Sequence, residues 1–205
     1  MLPIHLYGSD ILEKVCDEVD LNDDNLSYII RKMFKTLNKS NGIGLAAPQV
    51  GINKRFFVIN TNIIRELPKG ERIRDVFLNP VIISYSDKKI SSSEGCLSIP
   101  LLSDVLVDRY EEIKVGYYNQ KLEYCEKTLK GKLSIVFQHE FDHLNGVLLT
   151  HKLSEDQKEV HKKDIENILL ENQIKFSFNN FEDILKYLML LVNDRKYLSY
   201  PSCLN

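Results

Sequence analysis

The run His139-Glu140-Phe-Asp-His143 is the strongest constraint on how this chain can fold. On a helix, residues four apart share a face, so both imidazoles can reach one ion. Glu140 lies about 100° around that helix from His139. It can therefore reach a water on the ion without being a ligand. Such water becomes far more acidic, and a neighbouring carboxylate can take its proton. A catalytic metal usually has a third protein ligand and one open position. A second segment must therefore fold back onto this helix.

Two segments can supply the third ligand. The extended protease pattern H-E-x-x-H-x-x-G-x-x-H matches through Gly146 and then fails, because Leu149 holds its last position and His151 comes two residues late. Glu166 lies downstream on an expected helix, and spacing leaves it open. Upstream stands Cys96, within Glu94-Gly-Cys-Leu-Ser-Ile-Pro100. The neighbouring Gly95 would let backbone approach a ligand or another segment closely, and a metal would hold the thiol as thiolate. The four cysteines (Cys16, Cys96, Cys125, Cys203) form no C-x-x-C pair. A chain of 205 residues needs no disulfide staples, so reduced thiols are expected.

Helical spacing of Leu26, Ile29, Ile30, Met33, Phe34 and Leu37 predicts a helix over 25–38, with Asp23 or Asp24 as its cap. The stretch Asn41 to Gly51 is too rich in glycine and proline for regular structure throughout, and too apolar for a solvated loop. Short β-rich runs follow at Arg55–Asn60, Val76–Leu78 and Val105–Val107. Ile113, Val115 and Tyr117 alternate, as do Leu122 and Tyr124. The polar segment 61–74 reads as a loop. A helix is expected from Lys132 to Asn145, closed by a left-handed Gly146. Another should start at Ser154, with Gln157 completing a capping box and Val160, Ile165, Ile168 and Leu169 turned inward. Apolar spacing from Phe181 to Val192 predicts a terminal amphipathic helix packed on the domain.

Three separated segments resemble the peptide deformylase family. Gly42-Ile-Gly-Leu-Ala-Ala-Pro-Gln49 resembles its G-x-G-L-A-A-x-Q motif, Glu94-Gly-Cys-Leu-Ser98 matches E-G-C-L-S, and Gln138-His-Glu-Phe-Asp-His143 matches Q-H-E-x-D-H. The likeness covers roughly residues 1–160 and fades after about 175. With the element pattern, it implies an α+β fold: mixed, mostly antiparallel sheets around a central helix bearing the histidines, with N- and C-terminal helices. One catalytic domain is expected over 1–175, and a helical extension over 176–205.

The resemblance also implies roles. Members of the family remove the formyl group from the first methionine of nascent proteins. Cys96, His139 and His143 would bind the metal, and Glu140 would act as general base and then general acid. The Gln49 side-chain amide and the Leu97 N–H would stabilise the oxyanion. Ile43, Gly44 and Gly95 would contact the peptide backbone. Ile135 and Val136 share the face of His139 and should line an apolar pocket that suits methionine. Arg109 matches an arginine that pairs with the motif glutamate, here Glu94. A further arginine, which in many members meets the peptide after the cysteine motif, has no counterpart in Leu101-Leu-Ser-Asp-Val105.

A Cys-His-His set favours a transition metal. Zinc fits it from first principles, and the resemblance points to iron(II), with zinc, nickel or cobalt able to substitute. The net charge of −2 gives no electrostatic case for DNA binding. No apolar run reaches membrane-spanning length, and the start carries no leader pattern. A cytoplasmic protein that meets its substrates near the ribosomal exit tunnel is expected.

Overall fold

Helix α1 (Leu26–Lys39) buries Leu26, Ile30, Met33, Phe34 and Leu37, the stripe that its periodicity dictates. Neither Asp23 nor Asp24 caps it. Asn25 holds the N-cap position, and the Asp23 carboxylate accepts the Asn25 N–H at 2.8 Å, one turn too early. Short aspartate side chains bond locally in this way in turns. The computed structural model describes residues 1–100 and 102–177.

Seven strands follow: β1 (Gly44–Ala46), β2 (Phe56–Asn60), β3 (Arg74–Tyr85), β4 (Lys89–Glu94), β5 (Val105–Tyr110), β6 (Glu112–Tyr118) and β7 (Tyr124–Lys130). They form a five-stranded sheet, β1-β2-β3-β6-β7, and a separate β4-β5 ribbon. All strand pairs are antiparallel. The parallel contact among described residues is one isolated bridge, Asp17 to Lys54. With the helices, this makes an α+β fold. Strand β2 is buried along its whole length. Phe56 and Val58 turn toward α1, while Phe57 and Ile59 join the core on the other side. A strand covered on both faces reads as a continuous apolar run, as Phe56 to Ile59 does.

Helix α2 (Lys132–Leu144) packs on that second face. Phe137 stands edge-on to both Phe57 and Phe77, at 5.1 and 5.2 Å between ring centroids. Burying such a ring contributes about 1.5–3 kcal/mol. At its far end, Gly146 is left-handed (φ +70°) as expected. Val147 N–H donates to Asp142 C=O (3.0 Å) and Gly146 N–H to His143 C=O (3.3 Å). This is the paired closure of a Schellman motif, and it fixes the backbone turn that carries His143. Helix α3 (Glu155–Ser177) begins with the expected capping box: Ser154 N–H to Gln157 Oε1 (2.9 Å) and Gln157 N–H to Ser154 Oγ (3.2 Å).

One strand carried no expectation of its own, and two expectations need correction. Strand β4, Lys-Ile-Ser-Ser-Ser-Glu, escapes apolar periodicity because its inward residues, Ser92 and Glu94, are polar. Leu122 is not part of a strand; it sits in the β6–β7 turn with φ 63°. Val160 is 75% exposed, because α3 meets the core further along, through Ile165 and the buried Ile168. Leu101, the helix expected over 181–192 and most of the 176–205 extension lie outside the described residues.

Candidate metal centre

Cys96, His139 and His143 converge, with one ligand atom from each lying within 4.8 Å of the others. His139 and His143 come from successive turns of α2. Cys96 comes from the turn after β4, which Ile99 N–H closes onto Cys96 C=O at 2.9 Å. Cys96 Sγ lies 3.3 Å from His143 Nε2. Zinc–sulfur and zinc–nitrogen bonds of ordinary length at a tetrahedral angle would set that separation at about 3.6 Å. One thiolate and two imidazoles at this spacing fit a transition-metal ion. His151 is taken up elsewhere, where its Nδ1 accepts the Leu148 N–H at 3.1 Å. Glu166 is exposed on α3 and stands outside the cluster.

Around the three candidate ligands lies a buried ionic network. His139 Nδ1 meets Glu94 Oε2 at 2.8 Å, which leaves Nε2 to face the cluster. A carboxylate behind a ligating histidine fixes its orientation and raises its basicity. Arg109 grips both Glu94 oxygens, at 2.8 and 2.9 Å, and also bonds Asp142. Burial pushes the Glu94 carboxyl up, but hydrogen bonds from Arg109 and then His139 overcome it and hold the pKa at about 2. A depressed carboxylate contributes stability above its unfolded value, which is lost as pH falls through the folded one. Acid unfolding should therefore steepen between pH 4.5 and about 2. Urea titrations across that range should give Glu94→Gln a flatter acid limb than the wild type, and equal slopes would refute the assignment.

Gln49 is held from both ends. Its Oε1 accepts the Ala46 N–H (2.8 Å), and its Nε2 points at Ser98 Oγ (3.2 Å) and Cys96 Sγ (3.7 Å). The amide donor is thereby aimed at the cluster. Glu140 is 4% exposed, and its Oε2 has no hydrogen-bond partner among the described residues. Burial pushes its carboxyl up to about 7 against the pull of His139. His139 shows the opposite balance. Burial disfavours its charge, yet Cys96 and Glu94 hold its pKa well above the ordinary value. Burial, with His139 nearby, holds His143 well below it.

Gly44 makes room for Glu140. A Cβ at Gly44 would overlap the carboxylate, at 2.6 Å from its Cδ. Gly95 differs, since a methyl there would meet nothing closer than 3.6 Å.

A cavity of about 420 Å³ opens beside these groups. Ile43, Gly44, Gln49, Gly95, Cys96, Leu97, Ile135, Val136, His139 and Glu140 all lie on its wall, so the residues expected at the site are brought together. His143 sits behind it, fully buried. Sequence reasoning gave no role to Gln138, Asp142 or Ser98. Gln138 bonds the Tyr110 backbone through both ends of its amide, at 3.1 and 2.9 Å, and ties α2 to β5. Its place in the Q-H-E-x-D-H run was the available signal. Pro100, Leu102 and Lys132 also line the cavity, and no motif marked them.

Comparison with known proteins shows which family the chain resembles. A family profile described as polypeptide deformylase matches residues 1–159. A peptide deformylase of Thermotoga petrophila is 39% identical over 168 residues, covering 82% of this chain and 96% of its own. One from Christiangramia forsetii is 37% identical, covering 82% and 89%. The crystal structure of a Plasmodium falciparum peptide deformylase superposes with a TM-score of 0.77 at 36% identity, covering 86% of this chain and 99% of that one.

Proposed function

The chain belongs to the polypeptide deformylase family, and we propose that it works through the Cys96, His139 and His143 centre. As a metal-dependent hydrolase of this family, it removes the formyl group from the first methionine of nascent polypeptides. Glu140 carries the assignment of the site. A buried carboxylate oxygen without a protein partner lies on the wall of the cavity that meets the ligand cluster. A divalent ion bound there supplies Lewis acidity, which polarises the formyl carbonyl and acidifies water.

The chain's own groups do the rest. Glu140 takes a proton from water as the water oxygen bonds to the formyl carbon. The same carboxyl returns that proton to the methionine nitrogen as the C–N bond breaks, leaving formate and a free amine. Burial without a protein partner leaves the Glu140 carboxylate free to make both transfers, first from water and then to the amine. Gln49 Nε2 and the Leu97 N–H meet the negative charge that grows on the formyl oxygen. Each such donor is worth about 2.7–4 kcal/mol of barrier lowering. The backbone at Ile43, Gly44 and Gly95 aligns the extended peptide, and Ile135 and Val136 receive the methionine side chain.

The reading extends to the setting. Iron(II) is the proposed native metal, with zinc, nickel or cobalt able to replace it, on the softness of the donor set. The α2 helix is the centre of a catalytic domain over 1–175, and 176–205 is an extension. The protein works in the cytoplasm, near the ribosomal exit tunnel. Among the described residues, no helix is long and apolar enough to cross a membrane. Protein loaded anaerobically with iron(II) should release formate from formyl-Met-Ala-Ser. A complete absence of formate would leave a binding protein that has lost catalysis, against which the intact Glu140 and Gln49 stand.

A further inference from the structure

One charge on the cavity wall is not used by the chemistry above. Lys132 opens α2 and lines the cavity, half-buried, with no ion pair among the described residues. A cation in the first turn of a helix is disfavoured by the helix dipole, and that turn contains no acidic residue to offset it. The acidic groups on the same wall are not free to do so. Glu94 is engaged by Arg109 and His139, and Glu140 is buried at the other end. Asp104, which follows the wall residue Ser103, accepts from the hydroxyls of Ser93 and Ser103.

The position of Lys132 gives the charge a use. Lys132, Ile135, Val136 and His139 are spaced to share one face of α2, and all four line the cavity. Lys132 lies about 10 Å along the helix axis from His139. An extended peptide covers that distance in about three residues. With the formyl group at the cluster and the methionine side chain against Ile135 and Val136, the next residues come within reach of the ammonium. The loop after the cysteine turn adds no cation, since Leu102, Ser103, Asp104 and Val105 carry none.

We infer that Lys132 is a specificity residue, selecting formyl-methionine peptides with an acidic side chain at the second or third position. This rests on the deformylase reading of the site. The test measures kcat/KM for formyl-Met-Glu-Glu, formyl-Met-Ala-Ser and formyl-Met-Lys-Lys at low and high salt. The acidic peptide should lead the neutral one by about fivefold at low salt, as a partly screened ion pair allows, and the lead should shrink as salt rises. Lys132→Met should flatten the series, and Lys132→Glu should reverse it. Ratios within each variant cancel any loss of folded protein. Equal values for the three peptides in the wild type, or a preference that survives Lys132→Met, would overturn the inference. Failure to hydrolyse even the neutral peptide would instead overturn the deformylase reading itself.

Discussion

Replacing Glu140 with glutamine is expected to lower formate release by a factor on the order of 10²–10⁴ while the metal stays bound. Glutamine keeps the shape but can neither take the proton of water nor hand one to the leaving amine. The proposed ligand set is Cys96, His139 and His143, which converge without Glu140, so metal content measured on the same sample should equal that of the wild type. Loss of metal would give Glu140 a place among the ligands and end its role as base. Gly44→Ala should produce a comparable deficit by another route, because its methyl occupies the space of the Glu140 carboxylate. A Gly44→Ala enzyme with full turnover would show that the carboxylate can work from elsewhere.

The same substitution has a consequence for stability, with the opposite sign. The Glu140 carboxyl is raised from 4.5 to about 7 in the folded protein. A group raised on folding weakens the fold as pH climbs from its unfolded value to its folded one. Between pH 4.5 and about 7, metal-free wild type should therefore lose on the order of 2–3 kcal/mol relative to Glu140→Gln. Urea unfolding in chelator at pH 4 and pH 8 measures this. The variant should be the more stable at pH 8, and the gap should close at pH 4. A buried carboxylate oxygen held without a hydrogen-bond partner is a local cost to the fold.

What could be read from the residues alone follows the range of the forces involved. The capping box at Ser154 and Gln157 and the left-handed Gly146 are local bonds, and both were legible. The α1 stripe was legible because one face of that helix is covered by β1 and β2. Val160 was misplaced because its apolar spacing points at nothing: α3 reaches the core through Ile165 and Ile168. Strand β4 was illegible for a different reason. Its buried Glu94 is satisfied by Arg109 and His139, partners 15 and 45 residues away, so neither alternation nor hydrophobicity betrays it. At the centre, the histidines were legible from helical geometry, but spacing alone left Glu166 open as third ligand. Motif resemblance favoured Cys96, and the fold brings its sulfur to His143. The steric bond between Gly44 and Glu140 joins β1 to α2, and no local pattern carries it.

The choice of third ligand gives the other large expected effect. Cys96→Ala should reduce bound metal from about one ion per chain to a small fraction, and should abolish turnover. Disturbing a partner behind a ligand already costs about 10–100-fold in affinity, and removing a direct thiolate must cost more. Glu94→Gln provides that lesser grade, since it touches His139 without ligating. Glu166→Ala should keep full metal, because Glu166 is exposed and outside the cluster. Cys96 is also a buried member of the core around Ile99, Leu102 and Val107, so the alanine variant must first be shown to be folded by its thermal transition. A folded Cys96→Ala protein with full metal, beside a metal-free Glu166→Ala, would replace this centre with a peptidase-like one. The expected result is graded instead: full metal without Glu166, weakened binding without Glu94, and none without Cys96. Only a centre built on the thiolate and supported from behind by the Glu94 carboxylate gives that order.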